Sequence, residues 1–283
     1  MKDLPKRSVT AIIFAAVMLG GILWNRLSFS ILLLIIQTGC LYEYLMLVKK
    51  FQSYTELKAK IAFVVTMIAA SAVFIVMVID QTDNLSLVYL IFTVPIFFLL
   101  LGIELFYQSE KPLINGLLNA CAIIYISVPI ICFYQLADQE FFGKAESWIN
   151  HYAVVPLGII LLIWANDTFA YFAGSLFGKH KMLPAVSPKK SWEGFASGLV
   201  FALIAAWLLS NKFPQLEMLQ WLIVALIVVV FGTMGDFFES MIKRHAGVKD
   251  SGSLMPGHGG FLDRFDALIF CLPFVTIYLM MSS

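Results

Sequence analysis

Apolar residues fill most of the chain in stretches of about 20, and short polar segments separate these stretches. Because a transmembrane helix needs about 20 mostly apolar residues, each stretch predicts a membrane-spanning helix. Nine spans are predicted, with ends defined to within several residues: 9–25, 28–48, 61–79, 85–106, 113–137, 152–177, 192–210, 217–241 and 262–281. The pattern therefore predicts an all-α polytopic integral membrane protein.

Two of the nine spans contain polar interruptions. Asn166–Asp167 divides the sixth span, and the segment from Gly232 to Asp236 divides the eighth. Polar backbone is tolerated at membrane depth only where protein or water surrounds it. We therefore expect a break or an inward tilt at each interruption.

The distribution of basic residues predicts the orientation of the spans. With the N-terminus in the cytoplasm, only Arg26, Lys144 and Lys212 of the 19 basic residues lie on the outer side. This asymmetry follows the positive-inside rule and predicts an odd number of spans with the C-terminus outside. The basic, apolar N-terminal segment resembles a secretory signal, but it continues almost directly into a second apolar stretch, so an uncleaved first span is predicted.

Composition narrows the class of protein further. The chain has 283 residues, 60% hydrophobic and 13% charged, which leaves no separate soluble domain. A net charge of +1 gives no indication of a nucleic-acid partner. The four cysteines are scattered through apolar runs, so neither a disulfide framework nor a zinc site is expected. We divide the chain into an N-terminal region of about five helices, 1–150, and a C-terminal region of about four helices, 151–283.

Acidic residues in or beside the spans need an explanation, because an ionised carboxylate at the bilayer centre costs about 2.5–3.5 kcal/mol. Glu43 and Glu104 lie near span ends and are interpreted as interfacial or helix-pairing residues. Five further acids flank the two basic cytoplasmic loops, 178–191 and 242–261: Asp167, Asp236, Glu239, Asp263 and Asp266. These two Lys-rich loops, predicted to be ordered, are the candidate site.

Helical spacing places several of these groups together. If the eighth helix continues, one of its faces carries Asp236, Glu239, Ser240 and Lys243. Asp263 and Asp266 share a face of the ninth helix in the same way. One interpretation is pairing of these acids with Lys243, Arg244 or Arg264. The other is a Mg²⁺ site, since Mg²⁺ prefers oxygen ligands and commonly binds substrate phosphates. Metal and lysines together indicate a phosphorylated substrate.

A glycine cluster precedes the ninth helix, at residues 256–260. Backbone amides at a helix N-terminus favour phosphate, and glycines permit close approach of a ligand. His258 in this cluster could donate to a phosphate or bond a loop carbonyl. The segment 174–179 is not a P-loop, because only three residues separate its glycines.

Two blocks of the sequence resemble the phosphatidate cytidylyltransferases, also called CDP-diacylglycerol synthases. Residues 240–266, SMIKRHAGVKDSGSLMPGHGGFLDRFD, match the family signature at about fifteen positions, with Met255 where Leu, Ile or Phe is usual. Asn166–Asp167–Thr168, Gly178–Lys179 and 187–194 (SPKKSWEG) form the second block. Together the blocks cover about a quarter of the chain.

This resemblance implies a reaction of phosphatidate with CTP that gives CDP-diacylglycerol and pyrophosphate. It also implies Mg²⁺ and, as in some family members, a monovalent cation such as K⁺. Asp236 and Asp263 are the implied metal ligands, with Asp266 close by. The site would face the cytoplasm from a bacterial inner (plasma) membrane, and a homodimer is one possible assembly.

Hypotheses for the remaining residues follow from charge and position. Lys189, Lys190, Lys249 and Arg264 would neutralise the triphosphate and the departing pyrophosphate, and Lys243 and Arg244 would hold the lipid phosphate. Ser187, Ser191 and Glu193 would position the nucleotide or order their loop. Asp167 would support a metal-bound water or pair with a lysine. The substrate-binding set is completed by Ser240, Asp250, His258, Gly259 and Gly260.

Two other functions use similar features. A secondary transporter would also place acids and interrupted helices in the membrane, although the densest charges here lie in loops and no repeat is visible. A CTP-dependent lipid or polyprenol kinase would transfer the γ-phosphoryl group instead. The fate of the α-phosphate of CTP distinguishes this kinase from the synthase.

Overall fold

The structure is a computed structural model, and it describes residues 4–52, 55–79, 86–107, 110–137, 153–252 and 259–282. Within these ranges the first helices are α1 (Leu4–Leu23), α2 (Arg26–Val48), α3 (Glu56–Ile79), α4 (Ser86–Tyr107), α5 (Pro112–Ala122) and α6 (Val128–Gln135). The later elements are α7 (Val154–Phe177), β1 (Lys181–Leu183), β2 (Ser187–Ser191), α8 (Trp192–Lys212), α9 (Met218–His245) and α10 (Leu262–Ser282).

Seven helices in the described part of the chain are long and apolar enough to cross a membrane. They are α2, α3, the combined α5–α6 segment, α7, α8, α9 and α10. The apolar stretches of α1 and α4 are shorter, Val9–Leu23 and Val94–Glu104. The prediction of an integral membrane protein is confirmed, and the count of nine spans stays a prediction.

The expected breaks in the sixth and eighth spans are wrong. Helix α7 continues through Asn166–Asp167, and α9 continues from Met218 to His245 through its glycines. In α9, a Cβ on Gly235 would lie 2.5 Å from the carbonyl oxygen of Asp266 on α10. The glycine therefore allows close helix packing, while the α9 backbone keeps its hydrogen bonds.

A distortion is found instead in the fifth span. Residues Ile123–Ser127 form a π-helical turn between α5 and α6. The side chain of Ser127 at its end accepts a hydrogen bond from Nε2 of Gln37 on α2, which also donates to the Ala70 carbonyl. No glycine or proline lies within the turn, so composition gave no signal of it.

The basic loop 178–191 contains two β-strands, which corrects the purely all-α prediction. Strands β1 and β2 pair antiparallel, with Lys181 opposite Ser191 and Leu183 opposite Ser187. Strand β2 leads directly into α8, because Ser191 caps that helix by accepting a hydrogen bond from the Gly194 amide. The hairpin thereby fixes the basic residues of this loop relative to α8.

The chain divides into two compact units. The first is drawn from Met1–Phe14, Ser30–Ile131 and Ile242–Phe265, and the second from Ala15–Phe29, Cys132–Met241 and Asp266–Ser283. In the first unit, α3, α4 and α5 pack together. In the second, α7 and α8 pack along each other, and Trp221 of α9 is fully buried. The division at residue 150 stays a prediction.

We expect Gly158→Ala to destabilise the protein by about 1–3 kcal/mol through overpacking. A Cβ at Gly158 would lie 2.2 Å from Cη2 of the buried Trp221. Thermal unfolding in detergent measures the change. Gly20→Ala is the matched control, since no atom lies within 4 Å of its added Cβ and alanine favours a helix over glycine. Equal unfolding temperatures for the two variants would contradict this packing.

Candidate functional site

The C-terminal end of α9 is closed by a specific turn. The Val248 amide donates to the Lys243 carbonyl, and the Gly247 amide donates to the Arg244 carbonyl. Gly247 has a φ of 69°, the left-handed conformation that this helix-ending motif requires. Lys50 at the end of α2 also donates to the Ala246 carbonyl, at 3.3 Å. The turn fixes the start of the signature loop.

Asp263 in the first turn of α10 has several bonding partners. Its Oδ2 accepts hydrogen bonds from the Gly260 amide at 2.7 Å and the Ser251 amide at 3.1 Å. Its Oδ1 pairs with the Lys243 ammonium. Both side chains are largely enclosed, with 13% of Asp263 and 11% of Lys243 exposed. The pairing of an acid with Lys243, one of the two sequence-based interpretations, is therefore present.

Glycine at 259 is required by the same arrangement. Gly259 has a φ of 84°, and a Cβ there would lie 2.9 Å from Oδ2 of Asp263. A side chain at this position would therefore be strained and would crowd the carboxylate. In the structure the loop backbone approaches this carboxylate, and the approach of a phosphate to the glycines stays a prediction. His258, Gly257 and Pro256 lie outside the described residues.

A second lysine–carboxylate pair joins the hairpin to α9. The Lys190 ammonium on β2 pairs with Oδ2 of Asp236 and lies 5.1 Å from the centroid of the Phe237 ring. Each side chain of the pair is about one third exposed or less. An ion pair that is partly removed from water is screened less than a surface pair. The hairpin is thus held to the face of α9 that carries the predicted metal ligand.

The continuous α9 helix confirms the predicted face. Asp236, Glu239, Ser240 and Lys243 follow one another at the spacing of one helical face. Glu239 is 1% exposed. Helical spacing groups Glu239 with the candidate acids of this face, but it carries no information about this burial.

Ser191 lies in a tight contact between α7 and α8. Its hydroxyl is buried and caps α8. A Cβ on Gly178 would come within 2.6 Å of this hydroxyl oxygen, and one on Gly194 within 2.8 Å of the Ala170 carbonyl. Ser191 therefore orders its loop, one of its two predicted roles, and the glycines of the second family block permit this packing.

Glu193 also orders the loop. Its Oε1 accepts a hydrogen bond from the His180 amide at 3.1 Å and lies 2.6 Å from Nδ1 of the same residue. The His180 ring is exposed. An open cavity of about 830 Å³ adjoins the pair and is lined by Lys179, His180, Lys181, Pro184, Trp192, Glu193 and Ala196.

The other predicted residues differ in exposure. Asp167 accepts a hydrogen bond from its neighbour Asn166 at 3.1 Å. Asp266 is buried, and its Oδ1 accepts the Ala267 amide at 2.7 Å. Ser187 and Ser240 are half-buried. Five of the predicted residues in or beside the two loops are exposed to solvent: Lys189, Arg244, Lys249, Asp250 and Arg264.

Sequence reasoning missed the role of Glu43 on α2. Its side chain is 1% exposed, and its Oε2 accepts hydrogen bonds from the Ser251 hydroxyl at 2.7 Å and the Leu262 amide at 2.9 Å. Both donors belong to the signature segment of the same unit. The available signal was an acid in an apolar helix, which the sequence analysis assigned to an interface or to helix pairing.

The carboxylates have the chemistry that Mg²⁺ requires, although they do not form a dense cluster. No group of three or more His, Cys, Asp or Glu side chains is placed to hold a metal ion within the ranges that the structure describes. Mg²⁺ often binds through only one or two carboxylates together with waters and substrate phosphates. An ammonium group already lies against Asp236 and another against Asp263, so each carboxylate oxygen accepts a cation in this fold. Their role as metal ligands stays a prediction.

The chain is similar to known proteins over nearly its whole length. The cytidylyltransferase family model matches residues 5–282. The phosphatidate cytidylyltransferase of Staphylococcus aureus (strain COL) is 33% identical over 279 residues, which are 98% of this chain and 99% of that protein. The one from Staphylococcus epidermidis is 31% identical over 279 residues, with the same coverage. The one from Staphylococcus saprophyticus is 36% identical over 184 residues, which are 64% of this chain and 66% of that protein.

The long apolar helices define an integral membrane protein, and α9 contributes one residue to each of two lysine–aspartate pairs. The whole-length match then identifies the particular group within this class. The chain belongs to the cytidylyltransferase family.

We expect Lys190 and Asp236 to be energetically coupled. Lys190→Met and Asp236→Asn should each lower the stability, and the double variant should lose less than the sum by about 0.5–3 kcal/mol. Thermal unfolding of the four proteins in detergent measures this coupling. The exposed pair Lys60–Glu56 on α3, 2.8 Å apart, is the control and should couple by no more than about 0.5 kcal/mol. Equal coupling energies in the two pairs would contradict a partly buried ion pair between Lys190 and Asp236.

Proposed function

We propose that this protein transfers CMP from CTP to phosphatidate, forming CDP-diacylglycerol and pyrophosphate for phospholipid synthesis. The observation that carries this proposal is the whole-length relationship to phosphatidate cytidylyltransferases, which covers 98% of this chain. It includes both polar segments whose residues form the lysine–aspartate pairs. An oxygen of the lipid phosphate attacks the α-phosphorus of CTP, and the bond from that phosphorus to the bridging oxygen of pyrophosphate breaks.

Charge neutralisation is the main task of the side chains in this reaction. A phosphomonoester carries about −1.5 to −2 charge near neutral pH, so it is repelled by the triphosphate. Positioning and electrostatic stabilisation supply most of the catalysis in phosphoryl transfer. We assign Lys189, Lys190, Lys249 and Arg264 to the triphosphate and pyrophosphate. Lys243 and Arg244 take the lipid phosphate.

The geometry of Lys190 and Lys243 supports these assignments. Each ammonium is held by an aspartate, so its position is set before a substrate arrives. A preorganised cation stabilises developing negative charge without reorganisation during the reaction. The exposed Lys189, Lys249 and Arg264 then add positive charge in the surrounding loops.

Asp236 and Asp263 would hold Mg²⁺, with Asp266 nearby on α10. When bound, Mg²⁺ supplies charge neutralisation and Lewis-acid activation of phosphate oxygens. The chain's own contribution is the fixed orientation of the carboxylates, and for Asp263 this comes from the Gly260 and Ser251 amides. Use of K⁺ and assembly as a homodimer stay predictions.

Nucleotide contacts are assigned to the hairpin and to the signature loop. Ser191 and Glu193 order the hairpin, and we assign Ser187 and, on α7, Asp167 to the same set. The remaining members of the set lie in the signature segment: Ser240, Asp250, His258, Gly259 and Gly260. The basic loops face the cytoplasm of a bacterial inner membrane, where CTP is supplied, and phosphatidate enters sideways from the bilayer.

The decisive experiment follows the α-phosphate. Purified protein with phosphatidate, Mg²⁺ and α-labelled CTP should move label into the lipid extract, with one pyrophosphate released per labelled lipid. We expect Asp236→Asn and Asp263→Asn each to lower turnover by at least about 10²-fold, the cost typical of losing one key electrostatic group. Glu56→Gln makes the same chemical change at an exposed site and should retain full turnover. Label that stays in solution while γ-label enters the lipid would indicate a kinase instead.

Helix α8 offers a matched test of orientation. Its 21 residues extend about 30 Å, enough to cross the hydrocarbon core. Lys181→Cys before the helix should react with a membrane-impermeant maleimide only in inside-out vesicles. Lys212→Cys at its other end should react only in right-side-out vesicles, and the parent protein gives the background. The reverse pattern would invert the proposed topology.

A further inference from the structure

The carboxylate of Glu43 holds the signature segment at two points. It lies on α2, one helical turn from buried Cys40 and Leu47, where an ionisable group is costly and needs partners. Its Oε2 accepts the Ser251 hydroxyl at 2.7 Å and the Leu262 amide at 2.9 Å. These donors are 208 and 219 residues away in sequence, so the contact is purely tertiary.

Asp263 holds the same segment from the other side. The Ser251 amide donates to Asp263, while the hydroxyl of the same serine donates to Glu43. The Leu262 amide that bonds Glu43 belongs to the residue directly before Asp263. Any shift of Glu43 is therefore transmitted to Asp263 through two short connections.

Glycines leave no space for a looser arrangement. A Cβ on Gly252 would lie 2.2 Å from Oε1 of Glu43. One on Gly260 would lie 1.9 Å from the Ser251 hydroxyl oxygen and 2.3 Å from Oε2 of Glu43. One turn earlier on α2, a Cβ on Gly39 would lie 2.7 Å from the Phe261 ring. The same face of α2 is thus closely fitted to the residues on both sides of the loop.

We propose that Glu43 is a positioning residue for the transferase reaction, setting the place of Asp263 through Ser251 and Leu262. It does not itself touch a substrate. This inference rests on the proposed function and extends it to a helix outside both family motifs. Some side chains do not contact the ligand but hydrogen-bond to the residue that does. Their removal commonly lowers affinity or activity by about 10- to 100-fold.

The test compares variants that differ only in their ability to accept hydrogen bonds. Glu43→Leu keeps the approximate size but removes the acceptor, and we expect kcat to fall about 10- to 100-fold. Glu43→Gln keeps an acceptor oxygen and should restore most of the lost kcat. Hydrogen exchange should show faster exchange of the Ser251 and Leu262 amides in Glu43→Leu and near-normal exchange in Glu43→Gln.

Ser251→Ala provides an independent test if Glu43→Leu fails to fold. It removes one donor and should lower kcat and speed exchange at Leu262. Where both single variants fold, the double variant Glu43→Leu/Ser251→Ala should be no worse than Glu43→Leu alone, because the two residues act as one unit. If Ser251→Ala matches the parent protein in both kcat and exchange, the proposal is wrong.

Gln37→Leu is the matched control on the same helix. Gln37 is also buried and donates to Ala70 and Ser127, away from the signature segment. Its loss should lower the unfolding temperature while kcat and exchange at Leu262 stay unchanged. If Glu43→Leu behaves like this control, Glu43 has only a structural role. If the parent protein makes no CDP-diacylglycerol, the proposed function fails, whereas the exchange data still report whether Glu43 holds the loop.

Discussion

An ionised carboxylate among apolar helices is costly unless partners compensate it, and this constraint applies to Asp236, Asp263 and Glu43. Asp236 is compensated by a lysine of the hairpin, and Asp263 by Lys243 and two backbone amides. Glu43 takes one hydroxyl and one amide of the signature segment. An unpartnered ionised group would be costly in this environment. The loops become ordered when their lysines, amides and hydroxyl group bind to these carboxylates.

Glycine makes these contacts possible by allowing atoms to approach more closely than a side chain would permit. At Gly252 and Gly260 the crowding atoms belong to Glu43 and Ser251, and at Gly178 they include the Ser191 hydroxyl. The sequence pattern of the glycine cluster before α10 indicates phosphate binding. Close packing against carboxylates is a second physical reason for glycine at these positions. Gly259 and Gly260 bring the loop backbone against the carboxylate of Asp263.

The sequence predicted most spans and the chemical character of the site, because both depend on local patterns. Apolar stretches located the helices, and helical spacing located the face of α9 that carries Asp236 and Lys243. The Lys190–Asp236 pair and the Glu43–Ser251 contact depend on tertiary packing between residues 46 and 208 positions apart, which no local pattern encodes. The expected helix breaks are wrong because a local pattern was given too much weight. Polar and small residues were interpreted as interruptions, whereas α7 and α9 are continuous and neighbouring helices pack against these residues.

The lysine–aspartate pairs bring together the two interpretations of the acidic residues, pairing and metal binding. The pairing is present, and the same carboxylates would carry the negative charge that a divalent cation requires. In the proposed reaction the aspartates would keep Lys190 and Lys243 in place for the phosphate oxygens of the two polyanionic substrates. Asp263 also accepts hydrogen bonds from two backbone amides, so its position does not depend on Lys243 alone.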